Sequence, residues 1–134
     1  LRCDITPKST SSKILIKFSL CIAPEYFQVR GRILKDGSPL DGALGNQRGS
    51  NRTRVSYNYT RYGGGSATSI YDMSGYPVEY LDSPNTTSAI QYSIDIGGYS
   101  TSYPVYVNRS HQDTDQSNYY GTPISTMTLT EIGG

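Results

Sequence analysis

The sequence is short of three things: helical period, charge and long apolar runs. Almost no stretch of its 134 residues repeats apolar positions every three to four residues, which excludes a helical bundle. Charged residues make up 17% and the net charge is +1. A balance so close to neutral gives no electrostatic case for nucleic acid or for an anionic membrane surface as partner. No apolar run approaches the roughly 20 residues of a membrane-spanning helix, so membrane insertion is not expected. Tryptophan is absent, and there are only two cysteines. Cys3 and Cys21 each occupy an alternating strand position, where such residues pack as small hydrophobes, and both are expected as free thiols rather than a bridge.

What is present is strand after strand. Ile14, Ile16, Phe18, Leu20 and Ile22 alternate with Lys13, Lys17 and Ser19, the two-residue period of a strand. Leu15, Cys21 and Ala23 make the other face partly apolar, which calls for cover by another sheet or another subunit. Pro24 ends that run. Phe27, Val29, Gly31 and Ile33 alternate with Gln28, Arg30 and Arg32 in the next. Asp36-Gly37 is a tight-turn signal, and residues 35–51, rich in Gly and Ser, read as a surface loop. Residues 52–62 return to strand. Residues 67–80 are expected to hold a short strand, a turn at Ser74-Gly75 and a second strand through Val78.

Residues 80–96, YLDSPNTTSAIQYSIDI, organise the chain. Pro84 removes a backbone donor, and Asn85, Thr86, Thr87 and Ser88 supply turn chemistry. Ile90, Tyr92, Ile94 and Ile96 then share one face, so the segment reads as a hairpin-like crossing with a polar tip. Strands through Tyr103, Val105 and Val107, and through Met127 and Leu129, complete the set. Leu1, Cys3 and Ile5 alternate with Arg2 and Asp4, so the sequence is expected to open at a strand, as the C-terminal part of a longer chain. This pattern of short strands with Gly and Pro turns predicts one all-β domain over residues 1–134, an antiparallel β-sandwich of the jelly-roll type.

Four blocks carry a family likeness: ITPKSTSSKILI (5–16), YLDSPNTTSAIQY (80–92), VNRSHQDTD (107–115) and STMTLTEIGG (125–134). They resemble the C-terminal modules of tail-fibre and related virion proteins of marine and cyanobacterial tailed phages. Those modules run "TPxSTSSKILI", "LDSPxTTSAxxY", "VNRSxxDTD" and a closing "STITVxEI". The blocks span nearly the whole chain, while residues 35–77 match none of them. The resemblance implies a β-sandwich, a homotrimer, and a place on the virion beside other virion proteins. It implies a tail-fibre tip that binds a host cell-surface glycan or protein, with a capsid or neck decoration protein as the alternative. It brings no catalytic residues.

The residues themselves add candidates. Arg48, Arg52, Arg54, Tyr57, Tyr59, Arg61 and Tyr62 form a basic-aromatic group suited to sugars or anionic polysaccharide, since tyrosine offers a flat face and arginine a planar donor fork. Alternate tyrosines in a strand equally serve packing. With loops as the usual binding elements of rigid β scaffolds, Arg48, Arg52, Tyr62, Tyr71 and Tyr76 are the expected receptor-binding residues, carried on residues 42–52 and 62–76. His111, Asp113 and Asp115 would share a face of an extended segment and could hold a cation, yet they supply fewer oxygens than a hard cation takes, and a polar turn accounts for them. Asp72, Glu79 and Asp82 are candidates for a glycan-cleaving carboxylate pair, the enzymatic alternative. No G-x-S-x-G elbow is present and no phosphate loop, because Gly63-Gly64-Gly65 lacks a following lysine. No cofactor is implied, and no enzyme activity is expected.

Overall fold

The computed structural model describes residues 1–24, 28–60, 73–98, 100–111 and 121–133. Among them nine strands follow in order: β1 (Arg2–Ile5), β2 (Lys13–Pro24), β3 (Gln28–Lys35), β4 (Ser38–Pro39), β5 (Tyr57–Thr60), β6 (Ser74–Asp82), β7 (Ile90–Gly98), β8 (Val105–Val107) and β9 (Thr126–Ile132). A single 3-10 turn, Asp41–Ala43, lies between β4 and β5. Every strand pair is antiparallel.

β2 is the middle of one sheet. β6 runs along it from Ile14 to Ile22 on one side. The other side is shared by β9, against Lys13 to Ser19, and β8, against Ile22 to Pro24. The second sheet has the order β1-β7-β3, with β5 and β4 dividing the far edge of β3. The two sheets pack face to face. Ile14, Ile16, Phe18, Leu20 and Ile22 meet Val29, Ile33, Ile90 and Tyr92 in one core, flanked by Tyr76, Val78, Tyr80, Met127 and Leu129. Burying each such aliphatic side chain contributes about 1.5–3 kcal/mol, so β2 alone supplies much of the driving force.

Two glycines let aromatic rings into this packing. A Cβ on Gly31 would lie 1.9 Å from a ring carbon of Tyr57, its direct cross-strand partner. The Tyr57 ring occupies the place of the missing side chain and meets Phe18 edge-on at 5.7 Å. A Cβ on Gly42 would likewise lie 2.2 Å from the Tyr80 hydroxyl oxygen.

The structure differs from the sequence reading at five places. Residues 52–56, expected as strand, are not, and β5 begins only at Tyr57. Tyr103, expected within a strand, lies ahead of β8. Ser74 and Gly75 are not a turn but the start of β6, with Gly75 on the outward face opposite Cys21. β6 and β7 do not form a hairpin. They lie in different sheets, so residues 83–89 arch across the sandwich. The stretch 35–51 is not wholly loop, since it holds β4 and the 3-10 turn. Pro77 is tolerated in β6 because, among the described residues, that strand is a sheet edge.

Both cysteines are free thiols. Cys3 pairs with Tyr92 on an inward face and Cys21 with Gly75 on the opposite sheet's outward face, so the fold keeps them apart. Burial pushes the Cys21 thiol above its ordinary pKa. Ala23, for which cover by another sheet or another subunit is expected, is buried within the chain at 1% exposure.

Candidate functional site

Arg54 shapes the loop that precedes β5. Its guanidinium donates to the Asp41 carboxylate, to the Gly45 carbonyl at 2.8 Å and to the Asp41 carbonyl at 3.2 Å. The Gly45 N–H donates to the Val55 carbonyl at 3.0 Å, and the Gln47 amide donates to the carbonyls of Gly49 and Arg52. These bonds close residues 41–55 into a compact unit. Arg48 and Arg52 stand exposed on it, and neither has an ion-pair partner among the described residues.

A groove of about 250 Å³ opens beside this loop on the outer face of the β3–β7 sheet, lined by Arg30, Arg32, Thr53, Val55, Asp95 and Gly97. Register explains its composition. Alternation along β3 buries Val29, Gly31 and Ile33 and turns Arg30 and Arg32 outward. Opposite them on β7 stand Gly97 and Asp95 respectively. Arg32 therefore faces a carboxylate and donates to Asp95 Oδ2 from both Nε, at 3.1 Å, and Nη2. Arg30 faces a glycine, with nothing within 4 Å of where a Cβ would stand. Its one bond among the described residues is a long one, 3.4 Å from Nη1 to Thr53 Oγ1.

Of the expected receptor-binding residues, Arg48 and Arg52 are brought together on the braced loop, whereas Tyr76 is placed elsewhere. It sits within β6, turned toward the core, half-buried and tilted against Tyr59 at 4.8 Å. Tyr62 and Tyr71 lie outside the described residues, as do Asp72, Asp113 and Asp115. Tyr57 and Tyr59 share the inward face of β5 and pack. The Tyr57 hydroxyl is buried without a hydrogen-bond partner among the described residues, and burial followed by the Asp95 charge pushes its pKa well above the ordinary value.

Glu79 and Asp82 do not form a carboxylate pair. Glu79 points outward and pairs with Lys17 at 3.0 Å, while Asp82 points inward and is buried. Asp82 accepts from Lys35 Nζ at 2.9 Å and from the Tyr92 hydroxyl at 2.6 Å, a clasp joining the two sheets just before the 83–89 arch. Burial, then the bond to Asp82, raises the Tyr92 pKa strongly. His111 stacks on Tyr106 at 5.3 Å, the Arg109 guanidinium lies over the Tyr106 ring at 4.4 Å, and no metal-holding group of His, Cys, Asp and Glu occurs among the described residues.

The blocks 5–16 and 125–134 meet at another framework contact, where the Lys8 N–H donates to Glu131 Oε1 at 2.7 Å. That bond, with a second from Ser12, holds the Glu131 carboxyl below the usual carboxylate range. The blocks thus include framework contacts, and the groove was not legible from them. Arg30 and Arg32 are visibly outward by alternation, but what faces each depends on the β3–β7 register. No family model matches the chain, and no curated protein matches it.

Proposed function

We propose that the chain is the receptor-binding module of a phage tail fibre, a homotrimer on the virion that adheres to a host cell-surface glycan without cleaving it. The observation that carries this reading is the braced loop, residues 41–55, which holds Arg48 and Arg52 exposed beside the arginine-lined groove. A loop fixed by its own hydrogen bonds loses little freedom when it binds, so its exposed donors are pre-organised for a partner. The jelly-roll form of the sandwich is supported by the course of the chain, which places β1 and β3 in one sheet and β2 in the other, and β6 and β7 again in opposite sheets. Trimer formation is supported by the outer face of the β2 sheet, where Leu15 lies opposite Leu81, 44% exposed, with Ile132, 42% exposed, near the same end. Adhesion and cleavage separate in one experiment. The chain is incubated with envelope polysaccharide from cyanobacterial cells, and bound protein and new reducing ends are both measured. Saturable retention without new reducing ends is expected; release of reducing ends would establish the enzymatic alternative.

A further inference from the structure

We infer that the groove between β3, β7 and residue 55 is a subsite for one acidic sugar, a hexuronate-type residue held by its carboxylate on Arg30. This rests on the adhesion reading only for the biological source of the sugar, since the chemistry comes from the groove itself. Arg30 offers a planar guanidinium fork with no carboxylate partner among the described residues, and that fork matches a carboxylate in two parallel hydrogen bonds. Gly97 opposite it leaves the space in which such a group would sit. The charge of the lining selects among anions. Two guanidiniums and one carboxylate leave a single net positive charge, which balances a sugar carboxylate. A phosphate ester carries about −1.5 to −2 at neutral pH and would be left overcharged beside Asp95. Thr53 Oγ1 and Asp95 are the further groups able to bond sugar hydroxyls, as donor or acceptor and as acceptor. The volume, about 250 Å³, falls below the roughly 300–1,000 Å³ of pockets that enclose drug-sized ligands and suits one sugar unit of a longer polymer.

The test is titration of the isotope-labelled chain with D-galacturonate, D-galactose and inorganic phosphate, followed through the backbone amides of Thr53, Val55 and Gly97. Galacturonate should shift these amides saturably, and galactose and phosphate should each bind about tenfold more weakly or not at all. Arg30→Gln should weaken galacturonate about tenfold with an unchanged melting temperature, and Arg30→Lys, which keeps the charge and loses the fork, should fall between. Equal response to galactose, equal response to phosphate, or galacturonate binding untouched by Arg30→Gln would each overturn the assignment. Retention on cell envelopes without shifts at these amides would overturn the subsite and leave adhesion standing. Shifts without retention on any envelope would do the reverse.

Discussion

Single residues carry the two most exacting contacts in the sandwich. Gly31 is required because the Tyr57 ring fills the space its side chain would take. Gly31→Ala should destabilise by about 1–3 kcal/mol through overpacking. The same change in a Tyr57→Ala background should cost much less, which urea unfolding of the four proteins would show. Equal costs in both backgrounds would mean that the ring is not what the methyl meets. Tyr92 is the second case. Its hydroxyl is raised above the ordinary tyrosine value of about 10, so the folded state keeps a proton that the unfolded chain releases. The stability this lends is fully present below pH 10 and is lost as pH rises beyond it. Above pH 10 the unfolding free energy of the parent should fall more steeply than that of Tyr92→Phe, by about 1.4 kcal/mol per pH unit. Matching slopes would show that Tyr92 ionises alike in both states. Neither contact was legible in the sequence. Tyr57 and Gly31 are 26 positions apart, and Asp82, whose oxygen takes the Tyr92 proton donor, reads locally as the start of a turn.

Elements were legible where one face alone is buried. β2, β7 and β9 show the alternation expected of them, because burial on one side of a pleat imposes a period of two whatever the strand pairs with. Asp36-Gly37 was equally legible. Both residues have positive φ, 50° and 79°, as the two-residue turn joining β3 to β4 requires. Gly37→Ala should therefore cost about 1 kcal/mol. Asp36→Ala should cost more in the same denaturation series, since the Asp36 carboxylate also accepts the Gln91 N–H at 2.9 Å. A Gly37→Ala protein as stable as the parent would contradict the left-handed turn. The start of β6 reads as a turn in the sequence for a physical reason: Gly75 faces solvent, where a strand tolerates the small residue that in sequence signals a turn. The arch at residues 83–89 has the sequence of a hairpin because turn chemistry is the same whether the next strand joins the same sheet or the opposite one.

At the scale of the whole molecule the sequence carries the class, all-β with two antiparallel sheets, but not the partition of strands between them. That partition is set by long-range pairing, such as β2 with β9, which no local pattern encodes. It also decides which apolar residues stay outside. Ala23 is covered by the chain, whereas Leu15, Leu81 and Ile132 remain on the outer face. If this face is the trimer contact, native mass spectrometry should give three chains, and Leu81→Lys should shift the population to monomer without loss of fold. A folded parent that stays monomeric at every micromolar concentration would rule the trimer out. Three copies would also present three braced loops, so weak single contacts to a repeated glycan would add by avidity.

In the proposed role the host surface is touched at the loop bearing Arg48 and Arg52. The most direct measurement is equilibrium binding of the labelled chain to envelope polysaccharide, with the parent and an Arg48→Ala/Arg52→Ala variant side by side. Both side chains are exposed and unpaired among the described residues, so the variant should melt at the parent's temperature. Its affinity should fall about tenfold or more, since two charged donors are lost and in a trimer the loss would be repeated in every copy. A variant that binds as tightly as the parent would exclude this loop and place the contact at another surface of the sandwich.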